Sequence, residues 1–311
     1  MEEGGNIRLE EEQTIKTVGQ ACHFLRDLAA RYWISDFSRL LALADVMLNV
    51  SLQQVLMFNM VKISSYMQNA FTLDYNFVRN SSFSDIRLKM EKNVVAFGEG
   101  FMSRNDSYFV LKGLFLHQRN GNHAKAAELV MLFRKWFDRE LGKKNTIILV
   151  GEPSCGKTLI AKAFMRLACF WGKITEWSKG NQFIFSGCTT GRIILHDECI
   201  QPIEDMAYLE TLKKIYAGEC TPINVKYASG QLSCGAPVIG TCNVYPIRNH
   251  DKDLRDAMNE RITFLDWHGK DFLKGRVTGE INPRALFDIV DWAEEITVMT
   301  NPSELDPQYD I

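Results

Sequence analysis

Apolar residues recur with a helical period near the start of the chain. Val18, Ala21, Cys22, Leu25, Leu28, Ala29 and Tyr32 fall in the i, i+3, i+4, i+7 pattern that lines one face of an amphipathic helix. Phe37, Leu40, Leu41, Ala44, Met47 and Leu48 repeat that spacing and predict a second helix. The longest apolar stretch, 40–67, is interrupted by Asp45, Asn49, Gln53, Gln54 and Lys62. It is too polar to span a bilayer and reads as a buried or oligomer-forming helix. Between about 69 and 122 the pattern weakens and predicts no definite element. Ala126, Leu129, Val130, Phe133 and Phe137 then mark a further helix, expected to close near Leu141 and Gly142 with the glycine as its C-terminal cap. The first dozen residues are polar and acidic and read as loose.

Beyond that glycine the texture changes. Short β-rich runs at 146–150, 192–195, 237–241 and 261–265 are each followed by polar or glycine-containing turns. The first leads at once into a glycine loop and an apolar-periodic helix through Leu159, Ile160, Ala163, Phe164 and Leu167. Continuous apolar strands joined to helices this way predict an α/β layer with a mostly parallel sheet covered on both faces. From Asn282 and Pro283 a closing helix carries Leu286, Ile289, Val290 and Ala293. The expected organisation is a helical N-terminal region over 1–122, an α/β domain over 123–281, and a C-terminal helix and tail over 282–311.

Composition narrows the function classes. A chain of 311 residues with 46% apolar and 24% charged side chains can build an interior without covalent staples. Thirty-six basic against 38 acidic residues leave a net charge of −2, which excludes a general basic coat. Any contact with nucleic acid must then be local, in a loop or a pore. The eight cysteines are spread singly, and the six histidines never form His-x-His or His-x-x-x-His, which argues against a zinc site. With no signal-like N-terminus, a reduced compartment is expected, with the thiols acting as small core residues.

The chemistry-bearing pattern is at 151–158. Gly151, Glu152, Pro153, Ser154, Cys155, Gly156, Lys157 and Thr158 fit GxxxxGK[ST] throughout. The glycines let successive backbone amides turn toward a phosphate, and the helix that follows adds its positive end. Lys157 is placed to reach the β and γ phosphates of ATP, and the Thr158 hydroxyl to ligate Mg2+. Cys155 has no His or Asp at a spacing that would activate it. It reads as a permissive loop position, where alkylation is expected to block hydrolysis unless nucleotide is bound. Forty residues past the lysine, an apolar run ends in Asp197 and Glu198. The first is assigned to the metal and the second to deprotonating water. A third run ends in Asn243, a candidate γ-phosphate sensor that helps place the attacking water.

The order of phosphate loop, acid pair, basic hairpin, Asn-terminated strand and arginine resembles superfamily 3 helicases of small DNA viruses. The helicase part of the large nonstructural replication protein of parvoviruses, densoviruses especially, is the particular likeness. It is carried by WFDRELGKKNTIILVGEPSCGKT from Trp136, NQFIFSGC (181–188), HDEC (196–199), LKKIYAGECTPINVKY (212–227), APVIGTCN (236–243) and MNERITFLDW (258–267). The resemblance implies an AAA+-like P-loop ATPase that forms a ring, usually a hexamer, and moves 3′→5′ on single-stranded DNA. It matches Lys226 to the pore-hairpin lysine that grips DNA phosphates. Lys213 and Lys214 are either pore supports or solvated helix surface, and Tyr227 either stacks on a base or packs on the sheet. Arg261 fits the arginine finger given to a neighbouring subunit, with Arg255 its rival. By position, the helices of 1–122 correspond to an oligomerisation collar. A viral nickase and host replication proteins are implied partners, a membrane is not, and a host-nuclear location follows from the resemblance alone. The family's nicking nuclease uses a His-hydrophobic-His pair that this chain lacks, so nicking is not expected of it. The competing readings are a related ring ATPase on RNA, a P-loop NTPase without a nucleic-acid track, and a nucleotide-switched replication scaffold.

Overall fold

Local capping and apolar periodicity set the N-terminal helices. Helix α1 (Val18–Arg31) starts from a reciprocal box in which Thr17 Oγ1 accepts from Gln20 N and Gln20 Oε1 accepts from Thr17 N. It buries Ala21, Cys22, Leu25, Leu28 and Ala29, the face the periodicity predicts. Helices α2 (Phe37–Val46), α3 (Val50–Asn80), α4 (Phe83–Lys92), α5 (Arg104–His117) and α6 (His123–Phe137) follow. The computed structural model describes residues 15–46, 50–93, 95, 97–98, 100–199, 205–226, 228–233, 235–246, 252–269 and 272–300. Met47, Leu48, Tyr227 and the polar first dozen residues lie outside these.

The chain forms two compact units, Met1–Asn76 with Met90–Ala96, and Phe77–Lys89 with Phe97–Ile311. The division falls earlier than residue 122. In the first unit α3 buries Leu56, Ile63, Met67 and Phe71, while Met57, Phe58 and Val61 are 80%, 83% and 84% exposed. The 40–67 stretch therefore has both a buried side and an open apolar one. Within 69–122, where the sequence pattern fades, the structure places the end of α3, α4 and α5. Helix α5 buries Ser107 beside Val110, Leu111, Leu114 and Phe115 yet exposes Phe109 at 60%, so polarity alone does not reveal its inner face.

The second unit is built on a five-stranded sheet. Strands β1 (Thr146–Val150), β2 (Trp171–Lys173), β3 (Ile193–His196), β6 (Val238–Cys242) and β7 (Ile262–Asp266) are ordered β2-β3-β6-β1-β7, and every pairing is parallel. Strands β4 (Thr221–Val225) and β5 (Ala228–Ser233) form a separate antiparallel hairpin. The remaining helices are α7 (Lys157–Ala168), α8 (Met206–Tyr216), α9 (Lys252–Asn259) and α10 (Ala285–Thr300). All five residues of β1 are buried, as a sheet covered on both faces requires. One cluster joins Ile148, Val150, Ile194, Val238 and Ile262 to Leu209 and Leu212 of α8 and Met258 of α9. Elsewhere Phe133 of α6 stacks on Phe164 of α7 at 5.4 Å and meets Trp267, just past β7, edge-on at 6.2 Å. The fold is the α/β P-loop layer preceded by helices that the sequence predicts.

Two expected boundaries move. Helix α6 ends at Phe137, not near Gly142; Asp138 caps it, Arg139 takes the left-handed turn at φ 63°, and Gly142 lies in a later turn. Trp136 and Phe137 are the last apolar anchors, and Trp136 Nε1 donates to Asn145 O at 3.2 Å, tying the returning chain to the start of β1. Strands β3, β6 and β7 begin one residue later than the apolar runs. Arg192 N bonds to Phe170 O and Arg261 N to Met258 O, outside the strand ladders, while Pro237 has no N–H to give.

Candidate functional site

The site grows from the carboxyl ends of three adjacent strands. Strand β1 pairs with β6 so that Val150 sits opposite Cys242, and β6 pairs with β3 so that Gly240 sits opposite His196. The next residues along each chain are Gly151 of the phosphate loop, Asn243, and the Asp197–Glu198 pair. Residues far apart in sequence thus meet at one edge, where open α/β sheets place their ligands.

Gly151 is bounded by backbone. A Cβ there would lie 1.9 Å from Trp267 O, and Gly151 N donates to Cys242 O at 3.1 Å. Gly156 caps α7 with φ 94°, in the left-handed region that favours glycine. No side chain caps this helix start, so its first amides face outward without a protein acceptor from a cap residue. Ser154, also at positive φ (67°), completes the curl of the loop. Glu152, Pro153 and Thr158 are exposed.

Lys157 is buried, and its Nζ donates to Gly151 O and Glu152 O at 2.6 Å each and to Asn243 Oδ1 at 3.2 Å. The ammonium therefore spans the phosphate loop and the end of β6. Cys155 is fully buried, and its thiol donates to Glu152 O at 2.9 Å. That burial puts it out of a reagent's reach, so the alkylation expected at this position has no exposed target here.

Asp197 accepts a hydrogen bond on Oδ1 from Thr241 Oγ1, a buried hydroxyl on β6. Sequence reasoning did not single out Thr241; a lone hydroxyl inside the apolar run 237–241 was the available signal. Glu198 adopts φ 48°, unusual for a residue with a Cβ, and is exposed. Cys199 N then bonds to Thr241 O at 2.9 Å, returning the chain onto β6. The sharp turn leaves Asp197 anchored by β6 and Glu198 projecting. The donor set suits a nucleoside triphosphate with a hard divalent cation: uncapped helix amides, an ammonium, a hydroxyl and two carboxylates.

Other predicted residues lie away from this edge. Arg261 precedes β7, and β7 runs parallel to β1, so it stands at the opposite end of the sheet from the phosphate loop. Its Nη1 donates to Ala257 O of α9, and its Nε is buried with no hydrogen-bond partner among the described residues. Arg255 is exposed on α9. Lys226 is exposed in the turn after β4, its Nζ 5.4 Å from the centre of the Phe183 ring. Lys213 is half-buried and paired with Glu210 on α8.

A family model described as Parvovirus non-structural protein NS1 matches residues 43–245. The match reaches well upstream of Trp136, where the sequence motifs begin. Initiator protein NS1 of Human bocavirus 4 is 30% identical over 162 residues, covering 50% of this chain. Initiator protein NS1 of Junonia coenia densovirus is 23% identical over 207 residues, covering 66% of this chain and 35% of that protein. The chain spans only 20% of the length of the bocavirus relative. The X-ray structure of JCV helicase superposes with a TM-score of 0.54 at 12% identity, covering 94% of this chain and 90% of that one, which is a likeness of fold.

Proposed function

From the premise that this chain belongs to the parvovirus non-structural protein NS1 family, we propose that it is an ATP-driven helicase motor of viral DNA replication. The reading is supported above all by the Lys157–Asn243 contact at 3.2 Å, which joins the GxxxxGK[ST] loop to the end of β6. On nucleotide binding, Lys157 exchanges its two loop carbonyls for phosphate oxygens, while the uncapped amides of α7 take the β-phosphate. Thr158 and Asp197 would hold Mg2+, which would supply positive charge to offset the charge building on the phosphates. Glu198 takes a proton from water, and Asn243 orients that water against the γ-phosphate.

Arg261 supplies the remaining positive charge to a neighbour's site, so the working form is a homo-oligomeric ring, a hexamer by family likeness. The exposed apolar side of α3 fits such self-association. In the ring, copies of Lys226 converge on single-stranded DNA, which lets a chain of net charge −2 grip a polyanion. Movement 3′→5′, a host-nuclear location, and cooperation with a viral nickase and host replication proteins belong to the same proposal.

The test is Mg2+-dependent ATP hydrolysis and strand displacement by this 311-residue chain. Single-stranded DNA is expected to stimulate hydrolysis more than RNA, and Lys157→Ala to abolish both activities. Preferential stimulation by RNA would move the track to RNA. Full-rate hydrolysis by a strict monomer would remove the ring mechanism.

A further inference from the structure

Between the acid pair and the hairpin lies a buried polar cluster that the proposed mechanism does not use. Tyr216, the last residue of α8, is fully buried, as is Cys199, and His196 is only 3% exposed. Tyr216 Oη lies 2.7 Å from His196 Nδ1. The Cys199 thiol in turn approaches His196 O at 2.9 Å. His196 precedes Asp197 and Glu198 and Cys199 follows them, so the phenol hydroxyl holds the start of the segment carrying the acid pair, and the thiol closes the segment back onto His196. A polar group this deep is costly unless bonded, which makes each contact matter for the position of the turn.

Tyr216 reaches in two further directions. Its carbonyl accepts from Thr146 Oγ1 at 2.9 Å, at the start of the strand that ends in the phosphate loop. Five residues on, β4 begins and leads to Lys226. The hairpin base is closed nearby, where Gly235 N donates to Gly218 O at 3.1 Å and Asn145 Nδ2 to Ala236 O at 2.9 Å. A change in the acid pair on hydrolysis and a displacement of the hairpin by DNA therefore both bear on this one residue.

We propose that Tyr216 is a positioning residue: its hydroxyl, through His196, sets the acid pair, and its place at the foot of the β4–β5 hairpin couples that pair to nucleic acid. This rests on the helicase reading above. A packing role alone would make the ring matter and the hydroxyl immaterial, so the variants separate the two.

Tyr216→Phe removes only the hydroxyl. Its KM for ATP is expected to stay within about twofold, kcat to fall about tenfold, and stimulation by single-stranded DNA to disappear, as befits one lost buried hydrogen bond at a coupling point. His196→Leu is expected to behave alike, whereas His196→Asn, whose amide oxygen can replace Nδ1, recovers most of kcat and of the stimulation. If Tyr216→Phe does not melt cooperatively, the His196 pair carries the comparison. Unchanged kcat and stimulation in Tyr216→Phe, or equal loss in His196→Asn and His196→Leu, overturns the proposal. A wild-type chain without Mg2+-dependent hydrolysis overturns the helicase reading and this proposal with it, and that outcome is visible before any variant is made.

Discussion

Glu198 shows how much a single backbone angle contributes. At φ 48° its side chain projects from the strand end, while its neighbour Asp197 is tied to Thr241. That arrangement fits an unencumbered base beside a fixed metal ligand. Glu198→Gln is expected to bind Mg·ATP normally and to lose about a hundredfold or more in kcat, measured by nucleotide titration and single-turnover hydrolysis. A loss of affinity equal to the loss of rate would instead assign Glu198 to binding. Gly151 is a second case of the same kind. A methyl group there meets Trp267 O at 1.9 Å, and backbone cannot swing aside as a flexible side chain can. Gly151→Ala is expected to lower stability by about 1–3 kcal/mol in thermal or denaturant melts, with nucleotide affinity falling as the loop is displaced. Unchanged melting would show that the loop and Trp267 separate easily.

Among the elements, the β4–β5 hairpin presents a lysine at its tip. The ladder pairs Thr221 with Ser233 and Val225 with Ala228, leaving Lys226 in the connection and exposed. Lys226→Ala is expected to weaken binding to single-stranded DNA and to reduce the slope of log affinity against log salt by about 0.7 for each phosphate no longer neutralised. A parallel shift with the slope intact would mean the lysine acts through packing against Phe183. The strand β3 that delivers the acid pair is itself held from behind. Arg192, 1% exposed, donates from Nη2 to Phe137 O at 2.7 Å and to Ser81 O at 3.2 Å, and lies 4.5 Å from the Phe137 ring centre. Burial pushes its guanidinium down to about 9. A sequence run of Arg-Ile-Ile-Leu announces a strand, but nothing in it says that the arginine reaches two other segments.

At the scale of the whole molecule, the sheet keeps Arg261 away from the phosphate loop. Arg261 and the phosphate loop stand at opposite ends of neighbouring parallel strands, roughly 20 Å of strand apart at about 3.3 Å per residue. That separation supports the proposal that Arg261 serves a partner's site and not its own. Arg261→Ala and Lys157→Ala are each expected to be inactive alone, and their mixture to recover a measurable fraction of hydrolysis, because mixed neighbours rebuild some complete sites. No recovery in mixtures that co-assemble would place both residues in the same protomer's chemistry. The glycine loop, the acid pair and the strand ending in Asn243 were legible in the sequence as structural units because each is a contiguous run: an apolar strand followed at once by its polar end. The same contiguity made β1, α1 and α10 readable, since one face of each meets the interior at a regular interval. Strand order, the register that sets Asn243 beside Lys157, the Thr241 hydrogen bond to Asp197 and the burial of Cys155 came only with the tertiary structure. Those features depend on pairings between segments as far apart as Thr146 and Ile262, and a one-dimensional pattern holds no record of which strand lies next to which.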